Sequence, residues 1–293
     1  MRIGIVGNCQ SNVMARWLEQ MLPGHTIVHH SIAKPAETYG PAARDLGNCD
    51  AIISQWIGPG HGPLESAVLR LSSPAFIQVP NLVFTGFQPD MVYLHDREGN
   101  VLPSPLGAYH SRIVAACFYL GLGPIRTKSL FNSYIYGQLG YFDEFAKARL
   151  NLDDALDGCG LPISTADLVE QGAFMHTINH ANISANRLVT AAAVRKVGLT
   201  PLTDIEDISD ELLEDTVWPI YPPVARQIGV GDGSMTYQRP AHMVGEGQPR
   251  ELSLDQLIER SFEIYGRDKT IIDFDPVHND GQIIKSAIKK KYN

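Results

Sequence analysis

Three residues of this chain have the types and spacing for nucleophilic catalysis. Cys9 stands in Gly7-Asn8-Cys9-Gln10-Ser11-Asn12, directly after the apolar run Ile3, Ile5 and Val6. Near the other end, Asp275-Pro276-Val277-His278 sets a carboxylate three residues before an imidazole. In one turn this spacing lets both side chains point to the same side. Asp275 then fixes the tautomer of His278 through Nδ1–H, and Nε2 is left for a nucleophile. A Cys9–His278–Asp275 set follows the general activated-nucleophile pattern. The competing reading makes Asp275 a cap of the final helix, His278 a surface residue and Cys9 a compact thiol in an ordinary turn.

The elements that must position Cys9 are a strand and a helix. A short apolar run closed by a turn residue reads as a buried strand, here ending at Gly7. Ser11 is then expected to cap a helix over about residues 12 to 22, stopped by Pro23-Gly24. Its apolar positions are Val13, Met14, Trp17, Leu18, Met21 and Leu22. Cys9 therefore falls in a strand-to-helix turn, where unpaired N–H groups and the helix dipole favour a thiolate or an oxyanion.

Further strands are expected at His25 to His30, Asp50 to Gln55 and Ala75 to Val79, with a helix over Leu64 to Leu71. Strands alternating with helical patterns imply an α/β fold with a parallel sheet, whose ligands bind beyond the carboxyl ends of the strands. Cys9, Gln55 and Asn81 each follow a strand and are expected along one crevice. From about 108 to 200 the patterns are mainly helical and read as an insertion on a single domain spanning 1–293. The Pro- and Gly-rich stretch at about 218–250 reads as a lid or an extended surface crossing. Ser253-x-x-Gln256 opens another helix with a capping-box pattern, and the tail from Lys285 is basic and helical.

Composition sets outer bounds. The chain has 293 residues, 44% hydrophobic and 19% charged, which is ordinary for a globular protein. A net charge of −8 argues against non-specific nucleic-acid binding. No apolar stretch approaches the ~18 residues of a membrane span, and no signal peptide is read at the start. Cys9, Cys49, Cys117 and Cys159 are scattered, so a reduced cytoplasmic compartment is expected. His176 and His180, four apart, suit one helix face as metal ligands, but no third ligand completes a pattern and no metal is expected. His110, Arg112, Arg126 and Lys128 form a basic cluster suited to phosphate, or equally a solvated helix face. Tyr109, Tyr134 and Tyr136 read as packing residues; His29 and His30 have no assigned role.

A nucleophile block after the first strand, paired with Asp-x-x-His near the C-terminus, resembles the SGNH hydrolase plan, with Gly7-Asn8-Cys9-Gln10 at the nucleophile position. The closer resemblance is to the WcbI family of capsular-polysaccharide biosynthesis proteins. It is carried by Gly7-Asn-Cys-Gln10, Ile53-Ser-Gln55, Pro80-Asn81, Gly86-Phe-Gln-Pro-Asp90, Leu139-Gly-Tyr-Phe-Asp143 and Phe174-Met-His-Thr-Ile-Asn-His180. The resemblance implies a parallel-sheet, SGNH-like α/β core with helical additions, and an acetyltransferase that takes acetyl-coenzyme A as co-substrate and a sugar hydroxyl as acceptor. Cys9 would be nucleophile or acyl carrier, His278 base and acid, and Asp275 its orienter; alternatively the sugar hydroxyl attacks the thioester directly, with His278 as base and Cys9 only assisting. Coenzyme A contacts are expected at Asn8, Gln10, Ser11, Gln55, His110 and Arg112, and Gln55 is the best match for an oxyanion donor. The alternatives are an esterase or thioesterase with the same triad, or a coenzyme A- or carbohydrate-binding protein without turnover.

Overall fold

The structure, a computed structural model, describes residues 1–73, 75–96, 98–267 and 275–292, without the side chains of residues 275, 291 and 292. In chain order the elements are β1 (Arg2–Gly7), α1 (Gln10–Met21), β2 (Thr26–Ser31), α2 (Tyr39–Leu46), β3 (Ala51–Gln55), α3 (Ser66–Ser72), β4 (Phe76–Val79), β5 (Met91–Tyr93), β6 (Tyr109–Ser111), α4 (Arg112–Tyr119), α5 (Pro124–Ser129), α6 (Ser133–Gln138) and α7 (Glu144–Gly158). There follow α8 (Thr165–Val169), β7 (Met175–Thr177), β8 (His180–Ala181), α9 (Ile183–Val197), α10 (Pro222–Ile228), β9 (Tyr237–Gln238), β10 (Glu251–Leu252), α11 (Leu254–Arg267) and α12 (Asp275–Tyr292). They divide into two compact units. One holds Met1–Val83, Leu150–Met175 and Asn179–Glu211; the other holds Phe84–Arg149, His176–Ile178 and Leu212–Asn293. The helical stretch read from sequence as one insertion is thus shared between the units.

The first unit is an α/β layer structure. Its sheet is fully parallel in the order β2-β1-β3-β4. Ile5 lies opposite His29 on one side and Ile53 on the other. The central strands β1 and β3 are short and buried, which is why they read as apolar runs instead of alternating ones, while β2 at the edge is only partly buried. Val6, Leu46, Ile52, Leu64 and Leu69 form a core with α2 and α3. Helix α1 packs against α9, and Trp17 Nε1 donates to the Ile183 carbonyl at 3.1 Å. The strand order reverses between β1 and β3, so a crevice opens at their carboxyl ends.

The second unit gathers α4, α5, α6, α11 and α12 with the β5–β6 pair around an aromatic core. Trp218, Tyr221, Val224 and Tyr237, from the stretch read as a lid or crossing, are buried in that core. At its centre sits Asp90, fully buried. Its carboxylate accepts from the Tyr141 hydroxyl (2.8 Å), the Tyr221 hydroxyl (2.7 Å) and the Ile113 N–H (3.0 Å), and Tyr237 donates on to Tyr221 at 2.8 Å. Burial pushes the Asp90 carboxyl up, and these donors, with Ser111, oppose the shift. The capping box forms as read: Ser253 N–H donates to Gln256 Oε1 at 2.9 Å, and Gln256 N–H to Ser253 Oγ at 3.3 Å.

Replacing Asp90 by Ala leaves the Tyr141, Tyr221 and Ser111 hydroxyls and the Ile113 N–H without this acceptor, since apolar neighbours cannot substitute. Asp90→Ala is expected to destabilise the protein by about 3–5 kcal/mol in urea unfolding, and Asp90→Asn by less because one oxygen remains. A loss within about 0.5 kcal/mol, as at a typical surface site, would remove Asp90 as the organising group.

Candidate functional site

The turn after β1 is built by Asn8. Its N–H donates to Gln55 Oε1 at 2.8 Å, joining the carboxyl end of β1 to that of β3. Its Oδ1 accepts from Gln10 N–H at 3.0 Å, and its carbonyl accepts from the Ser11 N–H at 3.0 Å and the Ser11 hydroxyl at 2.7 Å. Asn8, not Ser11, therefore satisfies the first N–H groups of α1. The helix begins at Gln10, two residues earlier than the apolar periodicity indicates, and Ser11 lies inside it. The expectation of unpaired N–H groups at this helix start is corrected for Gln10 and Ser11, whose N–H groups Asn8 takes.

Cys9 occupies the N-cap position with helical backbone angles (φ −55°, ψ −32°), and its side chain is exposed. The other three cysteines are buried. Burial pushes the Cys117 thiol up to about 12 and raises those of Cys49 and Cys159. Cys9 is thus the thiol presented to reagents and ligands.

Gln55 is 1% exposed. Its Oε1 is held by Asn8, while its Nε2 has no hydrogen-bond acceptor among the described residues. A Cβ on Gly7 would stand 2.1 Å from Gln55 Oε1, so glycine is needed for the glutamine to reach the turn. Gln10 is buried too, and its Nε2 donates to the carbonyls of Leu82 (3.1 Å) and Asn179 (2.7 Å). Asn81 Nδ2 donates to the Trp56 carbonyl at 3.1 Å. Cys9, Gln55 and Asn81 each follow a strand of the one parallel sheet, at its carboxyl edge. Gln10 and Ser11, expected as ligand contacts, are as buried as Gln55, but their side-chain donors are taken by the carbonyls of Leu82, Asn179 and Asn8, so they hold the turn. Ser11 is further met by His29 Nε2 at 2.9 Å, a contact that no local motif signals, because β2 is paired to β1 only in the folded sheet.

The remaining site residues belong to the second unit. His278 lies in the first turn of α12, half-buried, its ring centroid 4.3 Å from that of Tyr119. Asp275 is the first residue of the same helix, three positions before His278; its side chain lies outside the described residues. Arg112 is bound to Asp280 by two bonds of 2.8 Å, from Nε and Nη2. His110 is 1% exposed, with Nδ1 at 2.9 Å from the Tyr265 hydroxyl and Nε2 at 3.0 Å from the Leu102 carbonyl. These internal partners occupy two of the four side chains of the basic cluster; of the other two, Lys128 pairs with Asp255 at 2.6 Å and Arg126 is exposed. Tyr109 and Tyr136 are buried, as packing requires, while Tyr134 is exposed. His176 and His180 sit on the short strands β7 and β8, not on a helix face.

The family profile described as polysaccharide biosynthesis enzyme WcbI matches residues 2–202. This chain belongs to the WcbI family. A solved structure described as WcbI, a novel polysaccharide biosynthesis enzyme, matches with a TM-score of 0.76 at 16% identity, covering 100% of this chain and 99% of that one. Its description concerns the native protein without a disulfide bond between COA and a cysteine. That likeness establishes the α/β fold of the family member described here. No curated protein matches.

Two outcomes follow from this geometry. Limited alkylation with peptide mapping should label Cys9 before the three buried cysteines, and Gln55→Leu, which leaves the Asn8 N–H without its acceptor, should cost about 1–3 kcal/mol and change the Cys9 labelling rate. Labelling of a buried cysteine first, in folded protein, contradicts the assignment. For His110, burial lowers the pKa from 6.5 to about 4. Its folded-state pKa is depressed, so the unfolded chain takes the proton first as pH falls. The stabilisation is complete above about pH 6.5 and declines toward pH 4, by about 3 kcal/mol. Urea unfolding of the wild type and His110→Asn should show their stability difference shrinking by that amount between pH 7 and 4; a constant difference would mean a solvated imidazole.

Proposed function

We propose that this polysaccharide biosynthesis enzyme is an acetyl-coenzyme A-dependent O-acetyltransferase acting on a sugar hydroxyl of a capsular or exopolysaccharide. The observation that carries the reading is the exposed Cys9 at the start of α1, next to Asn8, which holds a buried Gln55 amide whose Nε2 lacks an acceptor among the described residues. A thiol at a helix N-terminus suits acyl transfer, because thiol–thioester exchange is nearly balanced and the dipole favours negative charge there. The neighbour whose description names COA beside a cysteine supports the same ligand class.

Bound acetyl-coenzyme A supplies the activated acetyl group. In this reading Cys9 accepts that group and releases it to the sugar hydroxyl. Gln55 Nε2 donates to the oxygen on which negative charge develops. His278, oriented by Asp275, takes the proton from the entering nucleophile and returns it to the leaving group. The roles of His278 and Asp275 rest on the sequence plan. Asn8 fixes the turn, and Gln10 and Ser11 support it from within.

The test follows acetyl transfer to sugar acceptors and release of acetate in parallel. Cys9→Ala, His278→Ala and Asp275→Asn should each lower turnover, His278→Ala by about 10²–10⁴-fold. The His278→Ala/Asp275→Asn double variant should be little worse than His278→Ala, as expected of residues acting as a unit. Coenzyme A affinity, measured by calorimetry, should persist and serves as the folding control. Full activity in His278→Ala removes that residue from the mechanism. Acetate release without acceptor dependence makes the protein a hydrolase.

A further inference from the structure

A second feature lies wholly within the other unit. The chain carries a net charge of −8, yet it has no Asp or Glu between Gly99 and Phe142, nor from Gly281 to the end. The structure packs these two acid-free segments together: α12 lies against α4 and α6. Where they meet, Leu120, Leu122 and Ile288 line the floor of a recess of about 300 Å³, and Arg126, Lys285 and Lys289 form its rim. Beside it, Ile125 is 90% exposed in the first turn of α5.

Lysines near the end of α12 are partly explained by the helix dipole. That account leaves the acid-free α5 segment and the isoleucine in water unexplained. An apolar knob and a greasy recess ringed by cations match the boundary of an anionic bilayer, where headgroups face the charges and acyl chains face the apolar groups. A nucleic acid would meet the same charges but gain nothing from Ile125, and the net charge opposes it.

We propose that this face docks the protein on an anionic lipid surface. Among the described residues no helix is long and apolar enough to cross a membrane, so the attachment is peripheral.

The test is sedimentation of the full chain with vesicles of phosphatidylcholine alone, and of equimolar phosphatidylcholine and phosphatidylglycerol. Binding should require phosphatidylglycerol and fall with added salt. Lys285→Ala/Lys289→Ala should weaken partitioning about 30-fold, about five-fold per lysine, and Ile125→Ser by about ten-fold. Unchanged thermal unfolding of the variants shows that the loss is local. No binding to anionic vesicles, equal binding to neutral ones, or undiminished binding by the folded variants overturns the proposal. So does a shift of single-stranded RNA in gels at the same salt without vesicle binding.

Discussion

The hydrogen bond from Asn8 N–H to Gln55 Oε1 ties the two strands between which the sheet reverses its order. Much of the candidate site depends on it. It needs Gly7, because any Cβ there would collide with the glutamine oxygen. It turns the Gln55 amide so that Nε2 is left as a donor, and it fixes the residue before Cys9. The first helical N–H groups are then absorbed by Asn8 itself, so α1 starts directly after the cysteine. A buried amide donor without a partner is costly in a finished core. At the carboxyl edge of a parallel sheet it is the kind of group that a ligand completes.

The two units solve the problem of buried polarity differently. In the first, polar groups are concentrated at strand ends, where backbone leaves the ladder and side-chain amides replace it. In the second, the Asp90 carboxylate is taken deep into an aromatic core and surrounded by hydroxyl donors. Tyrosine suits that task because its ring fills the core and its hydroxyl reaches the polar centre. The same unit seals His110 and engages Arg112 with Asp280. His110 and Arg112, which look available for phosphate along the chain, are thereby given to the unit's own architecture, while Arg126, Lys285 and Lys289 stay exposed at its α5–α12 face.

Family membership and the α/β fold agree with the residues that suggested them: Gly7-Asn-Cys-Gln10, Ile53-Ser-Gln55 and Pro80-Asn81 all lie within residues 2–202. These blocks fall at the carboxyl ends of β1, β3 and β4. Strand-end blocks are legible because each is a local signal, an apolar run followed by a turn residue.

What the sequence by itself determined is local. The four strands of the parallel sheet were readable to within a residue or so because each has an apolar centre closed by turn or polar residues, whereas the two- and three-residue strands β5 to β10 are too short to leave such a run. The capping box at Ser253 and Gln256 was readable because its two bonds join residues three apart. Tertiary structure alone decided which groups meet across the chain. Gln55 reaches Asn8 over 47 residues, Arg112 reaches Asp280 over 168, and His110 reaches Tyr265 over 155. Nothing in the spacing of a charged or amide side chain states whether its partner is solvent, ligand or a distant residue of the same core. Strand order and helix packing settle that, since they fix which side chains lose water and must find their hydrogen bonds within the fold.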